Sequence, residues 1–242
     1  MNIILRQPFS VSENKTGVKN ADIIHPNHNS VNKKNRLFIT CGGNSNQSLL
    51  AAQVVCEAIK IYFDSFLDNE KDISIDFIEK AIRMGEIALS EFKLTNPEFL
   101  NSSTTLSLCY IAMDCIYLCQ LGESLVYQIR NNKIIAKFID NSDKKIQSAD
   151  KPIKINLITL KDIQADDQFF ICNGHLSDVD DKNMICNILS DYSNTEEKLS
   201  QIKKYYLSKD KKHFSGHLIP IYKVFETQSF KQRINSLVYS FI

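Results

Sequence analysis

Residues 104–138, TTLSLCYIAMDCIYLCQLGESLVYQIRNNKIIAKF, hold four short runs rich in β-branched and aromatic residues: Thr104–Ile111, Cys115–Leu121, Leu125–Arg130 and Lys133–Phe138. Turn residues divide them, and their length and composition are those of strands. Asn131 and Asn132 stand between the last two runs. Asparagine tolerates positive φ, so this pair suits a two-residue hairpin turn.

Working outward, Arg36–Cys41 (RLFITC) is a compact apolar run closed by Gly42 and Gly43, which reads as a buried strand and a turn. The polar stretch Asn14–Lys34 ahead of it reads as a loop-rich lead-in with one short strand. Leu50, Val54, Ala58, Ile59, Tyr62 and Phe66 recur at helical spacing and predict a helix over Ser48–Phe66. A second helix is predicted over Ser74–Phe92, with Ile75, Ile78, Ile82 and Leu89 on one face. Downstream, the pattern predicts a strand at Gln168–Cys172, helices at Asp180–Leu189 and Thr195–Leu207, a strand at Gly216–Val224 and a C-terminal helix. Helices in pairs beside runs of hairpin strands predict an α+β sandwich rather than a parallel α/β sheet.

No repeat, low-complexity linker or charge block interrupts the 242 residues, so 1–242 reads as a single domain. Hydrophobic residues at 43% and charged residues at 24% are ordinary globular values. A formal net charge of +1 supplies no global field for nucleic acid or an anionic membrane. The opening MNIILRQPFS has too short an apolar run for a signal peptide, and no stretch reaches transmembrane length. Seven cysteines, most inside apolar runs and none in a CxxC pair, read as buried reduced thiols of a cytoplasmic protein.

Six collinear segments, spanning roughly residues 7 to 224, resemble the metal-dependent Ser/Thr protein phosphatases of the PPM (type 2C) family, as a degenerate bacterial member. SVSENKTGVKNADIIHP resembles the opening that carries an Asn-Glu-Asp triplet, matched at Asn20 and Asp22 with Ala21 between them. RLFITCGGNSNQ resembles the strand that ends Asp-Gly-x-Gly-Gly-His. NSSTTLSLCYI is similar to the Gly-Thr-Thr strand at Thr104 and Thr105, and LGESLVYQIRNNKI to the Gly-Asp-Ser-Arg hairpin at Gly122, Ser124 and Tyr127. DDQFFICNGHLSDV resembles the Cys-x-Asp-Gly strand-turn at Cys172 and Leu176, and KKHFSGHLIPI the closing Asp-Asn-Phe-Ser strand at Phe214 and Ser215. The resemblance implies a four-layer α-β-β-α sandwich of two antiparallel sheets flanked by helices. It also implies phosphoester hydrolysis by water activated between two divalent ions, magnesium or manganese, held by carboxylates.

Carried over residue by residue, those carboxylates are mostly missing. Asp22 keeps the first. Gly42 stands where the bridging aspartate belongs, while Gly43 preserves a backbone carbonyl. Gly174 and His175 replace the aspartate and glycine of the late turn, and Lys212 and His213 replace the closing Asp-Asn pair, with Asp210 two residues out of register. Supporting positions change too: Gly17 for the phosphate-binding arginine, Gln47 for the acid histidine, Glu123 for aspartate and Leu125 for arginine. Two dications about 4 Å apart repel by on the order of 16 kcal/mol at an effective dielectric of 20. One retained carboxylate, with a lysine brought toward it, does not offset that.

Plainer readings stand beside these. Asp22 alone reads as a turn-capping or solvated carboxylate, and Gly42 with Gly43 as a tight turn. His175 and His213 are two nitrogen donors without a third ligand, and the Lys203-Lys204 and Lys209–Lys212 clusters read as solvated faces. Thr104 and Thr105 read as core strand packing. The expectation is a pseudophosphatase with no catalytic residue, no metal and no cofactor, acting on a protein partner: a kinase, a phosphatase or a phosphoprotein. Neither nucleic acid nor membrane is expected as a partner. The alternatives are a phosphatase with an altered, single-metal centre at Asp22, His175 and His213, and a structural subunit of a larger assembly. The segment Asp140–Ile158, where the family often carries a longer flap, is short.

Overall fold

A computed structural model describes residues 2–14, 22–43, 45–67, 73–122, 124–139, 145–147, 153–173, 179–191, 194–209 and 213–225. In chain order the strands are β1 (Asn2–Leu5), β2 (Phe9–Asn14), β3 (Ile23–His25), β4 (Leu37–Gly42), β5 (Thr105–Ile111), β6 (Ile116–Leu121), β7 (Ser124–Arg130), β8 (Lys133–Ile139), β9 (Leu157–Leu160), β10 (Gln168–Asn173) and β11 (His213–Phe225). The helices are α1 (Asn46–Leu67), α2 (Ile75–Thr95), α3 (Val179–Asp191) and α4 (Thr195–Ser208).

The strands pair into two antiparallel sheets. The first runs β1-β11-β10-β7-β8, with β2 also on β11; the second runs β3-β4-β5-β6-β9. At 13 residues, β11 takes two partners in succession. Its first half, His213–Leu218, pairs with β2, and its last residues, from Ile221, pair with β1. The Asn131-Asn132 turn between β7 and β8 has φ values of 50° and 56°, the left-handed pair a two-residue hairpin requires.

Three apolar layers hold the four structural ones together. α1 and α2 cover the second sheet through Val55, Ile59, Phe63, Ile82 and Leu108. α3 and α4 cover the first through Tyr127, Phe170, Ile185, Leu199 and Phe214. Between the sheets lie Phe38, Cys109, Leu118, Val126, Phe169 and Ile219. The order is therefore α-β-β-α. Caps define two of the helix starts: Ser74 accepts the Phe77 amide at 3.3 Å, and Asn194 accepts the Glu197 amide at 2.7 Å. All seven cysteines are free thiols, and all but Cys186 are buried.

The expected inward face of α1 needs correction. Leu50 and Phe66 are exposed, and the buried stripe is Ala51, Ala52, Val55, Cys56, Ile59 and Phe63. Small residues let the helix sit close on the sheet, so the seam follows alanines and a cysteine rather than the largest side chains. Ile75 on α2 is likewise exposed, while Ile78, Ile82 and Leu89 are buried as expected. β1, β2 and β9 were not expected as strands at all. The expected C-terminal helix lies outside the described residues.

Within the short segment that crosses from β8 to β9, the described parts are fastened to α2. Ile146, Ile153 and Ile155 pack into the core under α1 and α2. Buried Glu86 accepts the Ile153 amide at 3.2 Å and the Arg83 guanidinium at 2.5 Å, and Arg83 also donates to the Ile153 carbonyl at 2.6 Å. Lys93 donates to the Gln147 carbonyl at 2.6 Å.

Candidate functional site

Among the described residues, Asp22, Gly42, Thr104, Thr105 and Ser215 converge at one end of the two sheets. Asp22 immediately precedes β3, and the pairing of Ile23 with Cys41 sets it beside the Gly42 end of β4. The carboxylate is buried, only 4% exposed, and its Oδ2 accepts the Ser215 hydroxyl of β11 at 2.6 Å. Ser215 pairs with Asn173, the last residue of β10. Asp22 thus meets the ends of strands from both sheets. Its charge is felt across them: burial pushes the Cys172 thiol up, and Asp22 adds to it. The Cys41 thiol is raised by burial first, then by its hydrogen bond with Cys56, with Asp22 a smaller contribution.

Gly42 is engaged through its backbone. Its carbonyl accepts the hydroxyls of Thr104 at 3.2 Å and Thr105 at 3.1 Å. Both threonines are buried, so the pair pins the end of β4 as well as packing the core. Gly43 permits a close approach to the start of α1. A Cβ built there would lie 2.4 Å from Ser48 Cβ and 2.6 Å from Ser48 Oγ. Beneath these groups the layer between the sheets is polar, for Thr40 pairs with Ser107 and Ser107 with Gln120 across three strands.

One comparison decides the architecture. The catalytic domain of the Ser/Thr phosphatase PstP, in complex with two manganese ions, superposes with a TM-score of 0.74 at 15% identity, covering 92% of this chain and all of that one. The chain has the PPM phosphatase fold. Stp1 from Staphylococcus aureus carries the same PPM fold at a TM-score of 0.71 and 16% identity, over 94% of this chain and 98% of its own. PppA, a regulatory component of the type VI secretion system in Pseudomonas aeruginosa, matches at 0.67 and 12%, over 90% of this chain and 100% of its own. No protein-family model and no curated protein matches the sequence.

On this PPM fold the structure brings Asp22, Gly42 and Gly43 to one end and sets the backbone of His213 opposite Asn14 nearby. Gly174, Lys212, His175, Glu123, Asp210 and Gly17 lie outside the described residues. Gln47 is exposed on the first turn of α1 and donates to the Glu98 carbonyl at 3.0 Å. Leu125 is buried in the core under α3 and α4.

The described residues do not fit a paired-dication centre. Hard divalent ions need several anionic oxygens with free lone pairs. Here the one carboxylate at the family's metal positions shares an oxygen with Ser215, and the Gly42 carbonyl takes two hydroxyls. Among the described residues no group of three or more His, Cys, Asp or Glu is placed to hold a metal.

His217 and Ser10 were missed by the sequence reading. Both are buried between the sheets, with His217 two residues along β11 from Ser215, linked Ser10 Oγ to His217 Nδ1 at 2.7 Å. The signal was present: Ser215 and His217 alternate with apolar Phe214 and Leu218, which aims the polar pair between the sheets.

Proposed function

We propose that this chain is a single PPM-type domain that has given up two-metal phosphoester hydrolysis and acts in the cytoplasm as a regulatory, protein-binding pseudophosphatase. One observation carries the proposal: Asp22, buried and hydrogen-bonded to Ser215, is the one carboxylate retained at the carried-over positions, beside a glycine where the bridging aspartate belongs. The scaffold around it is intact, with three filled apolar layers. That combination supports selection on the fold rather than on the chemistry. PppA, on the same fold, is named a regulatory component, which is in keeping with a regulatory role; the partner proposed for this chain is a kinase, a phosphatase or a phosphoprotein. No helix among the described residues is long and apolar enough to cross a membrane.

The test is hydrolysis of p-nitrophenyl phosphate and of a phosphopeptide with added manganese, zinc or nickel, alongside calorimetric titration of manganese. The expected result is no turnover above a heat-treated control and no stoichiometric uptake. Turnover that Asp22→Ala abolishes would establish an active enzyme with an altered centre and remove the proposal. A cross-linked pull-down then identifies the partner class.

A further inference from the structure

We propose that a second cleft, at the opposite end of the first sheet, binds an oxyanion, the phosphate or carboxylate group of a small molecule or of a partner's side chain. The cleft has a volume of about 620 Å³, and Arg6, Phe9, Asn131, Gln168, Lys198 and Ile221 are among the residues lining it. β10 runs from Gln168 in the cleft wall to Asn173 beside Ser215, and at about 3.3 Å per residue those five steps separate the two places by about 17 Å. The cleft is therefore distinct from the Asp22 end, and its occupancy does not depend on whether that end is inert.

The cleft holds two cations with donors to spare. Arg6 stands at the cleft's exposed rim: its amide donates to the Pro220 carbonyl at 3.0 Å, its NH2 donates to Asp166 at 2.8 Å in a surface ion pair, and its guanidinium lies 5.4 Å from the centre of the Tyr222 ring. That one side-chain bond leaves most of its five N–H donors uncommitted among the described residues. Lys198 reaches the same cleft from α4, and its ammonium has no hydrogen-bond or ion-pair partner among the described residues. Burial lowers Lys198 below the ordinary lysine range, and Arg6 lowers it further. Asp166 is occupied by Arg6, and Glu196 also lines the cleft. The start of α4 is not the attraction, since Asn194 already takes the Glu197 amide. A planar fork held by an ion pair and a half-buried ammonium beside it are complementary to an anion with two or more oxygens.

Calorimetric titration of the full chain with inorganic phosphate, acetate and doubly capped phosphoserine tests this. Saturable binding of at least one probe is expected, weakened at least tenfold by Lys198→Met and by Arg6→Gln, and unchanged by Lys60→Met on α1. Tighter binding of capped phosphoserine than of phosphate assigns the anion to a protein partner, and the reverse assigns it to a free ion. Circular dichroism checks folding, and if Arg6→Gln unfolds, Lys198→Met decides alone. No saturable binding of any probe, or equal binding in the folded variants, overturns the proposal.

Discussion

His217 on β11 donates from Nε2 to the carbonyl of Ile39 on β4, 3.0 Å away, and so ties one sheet to the other through the middle of the molecule. A carbonyl only accepts, so Nδ1 is the bare nitrogen and takes the Ser10 hydroxyl at 2.7 Å. The ring meets Phe38 edge-on with centroids 5.4 Å apart. Burial holds His217 down to about 4, opposed in part by the Ile39 bond and aided by His25.

A pH dependence of stability is therefore expected. Between the ordinary value of 6.5 and about 4 the unfolded chain binds a proton on His217 that the folded chain does not. Its contribution is complete above about pH 6.5 and is lost as the pH falls toward 4. The loss is at most about 1.4 kcal/mol per pH unit and about 3 kcal/mol in all. His25, also lowered by burial, acts in the same direction. Urea unfolding at pH 7, 6 and 5 measures the slope. His217→Gln keeps a donor and an acceptor without titrating, so it should flatten the slope to the His25 remainder; an unchanged slope refutes the assignment.

Ser215→Ala should cost about 2 kcal/mol, because it strips a donor from a buried carboxylate and such bonds are worth about 1.5–3 kcal/mol. Asp22→Asn, which keeps an acceptor and removes the charge, should lessen the penalty in the double variant. A double-mutant cycle by urea unfolding reads the coupling, and purely additive effects would show that the pair does not interact.

At the far end of β7, Arg130 grips fully buried Asp167 with two bonds, Nε to Oδ1 at 2.7 Å and NH2 to Oδ2 at 2.9 Å. Gln128 and the Gln164 amide each add a bond to Asp167 at 3.0 Å. Arg130→Met leaves that carboxylate without its counter-charge and should destabilise by about 3–5 kcal/mol. Arg130→Lys should recover only part, since an ammonium cannot reproduce the fork. Thermal or urea unfolding of the two variants decides; full recovery by lysine contradicts the bidentate assignment.

Gly216, next to Ser215, lies close against β10. A Cβ there would sit 2.6 Å from the Ile171 carbonyl oxygen and 3.2 Å from Cys172 Cβ. Both belong to mid-sheet backbone or to a buried neighbour, so neither yields cheaply. Gly216→Ala should cost about 1–3 kcal/mol by overpacking, and a variant as stable as the parent would show that the sheet relaxes there.

The fold was legible where the chain repeats a local pattern. The runs of residues 104–138 announce their strands and the Asn-Asn turn, and Ser74 announces the start of α2. β9 was not legible, because Leu157–Leu160 is half-exposed and joins its sheet only through long-range pairing with β6. β2 hid because its serines face inward, where Ser10 meets His217, so an alternation of Phe9, Val11 and serines looks like a surface strand or a loop. At the site, the identity of each residue could be read, but not its bonds. That Asp22 meets Ser215, 193 positions away in sequence, follows from tertiary pairing alone.

The chain visits the first sheet in β1 and β2, the second in β3 to β6, returns for β7 and β8, crosses again for β9, and finishes with β10 and β11. No single cut therefore releases a fragment with either sheet whole and nothing of the other. During synthesis the first sheet waits for residues 168–225, which supply its two central strands, so β1, β2 and the β7–β8 hairpin emerge with their apolar faces unmatched. Slow, late and cooperative maturation is the price of that weave.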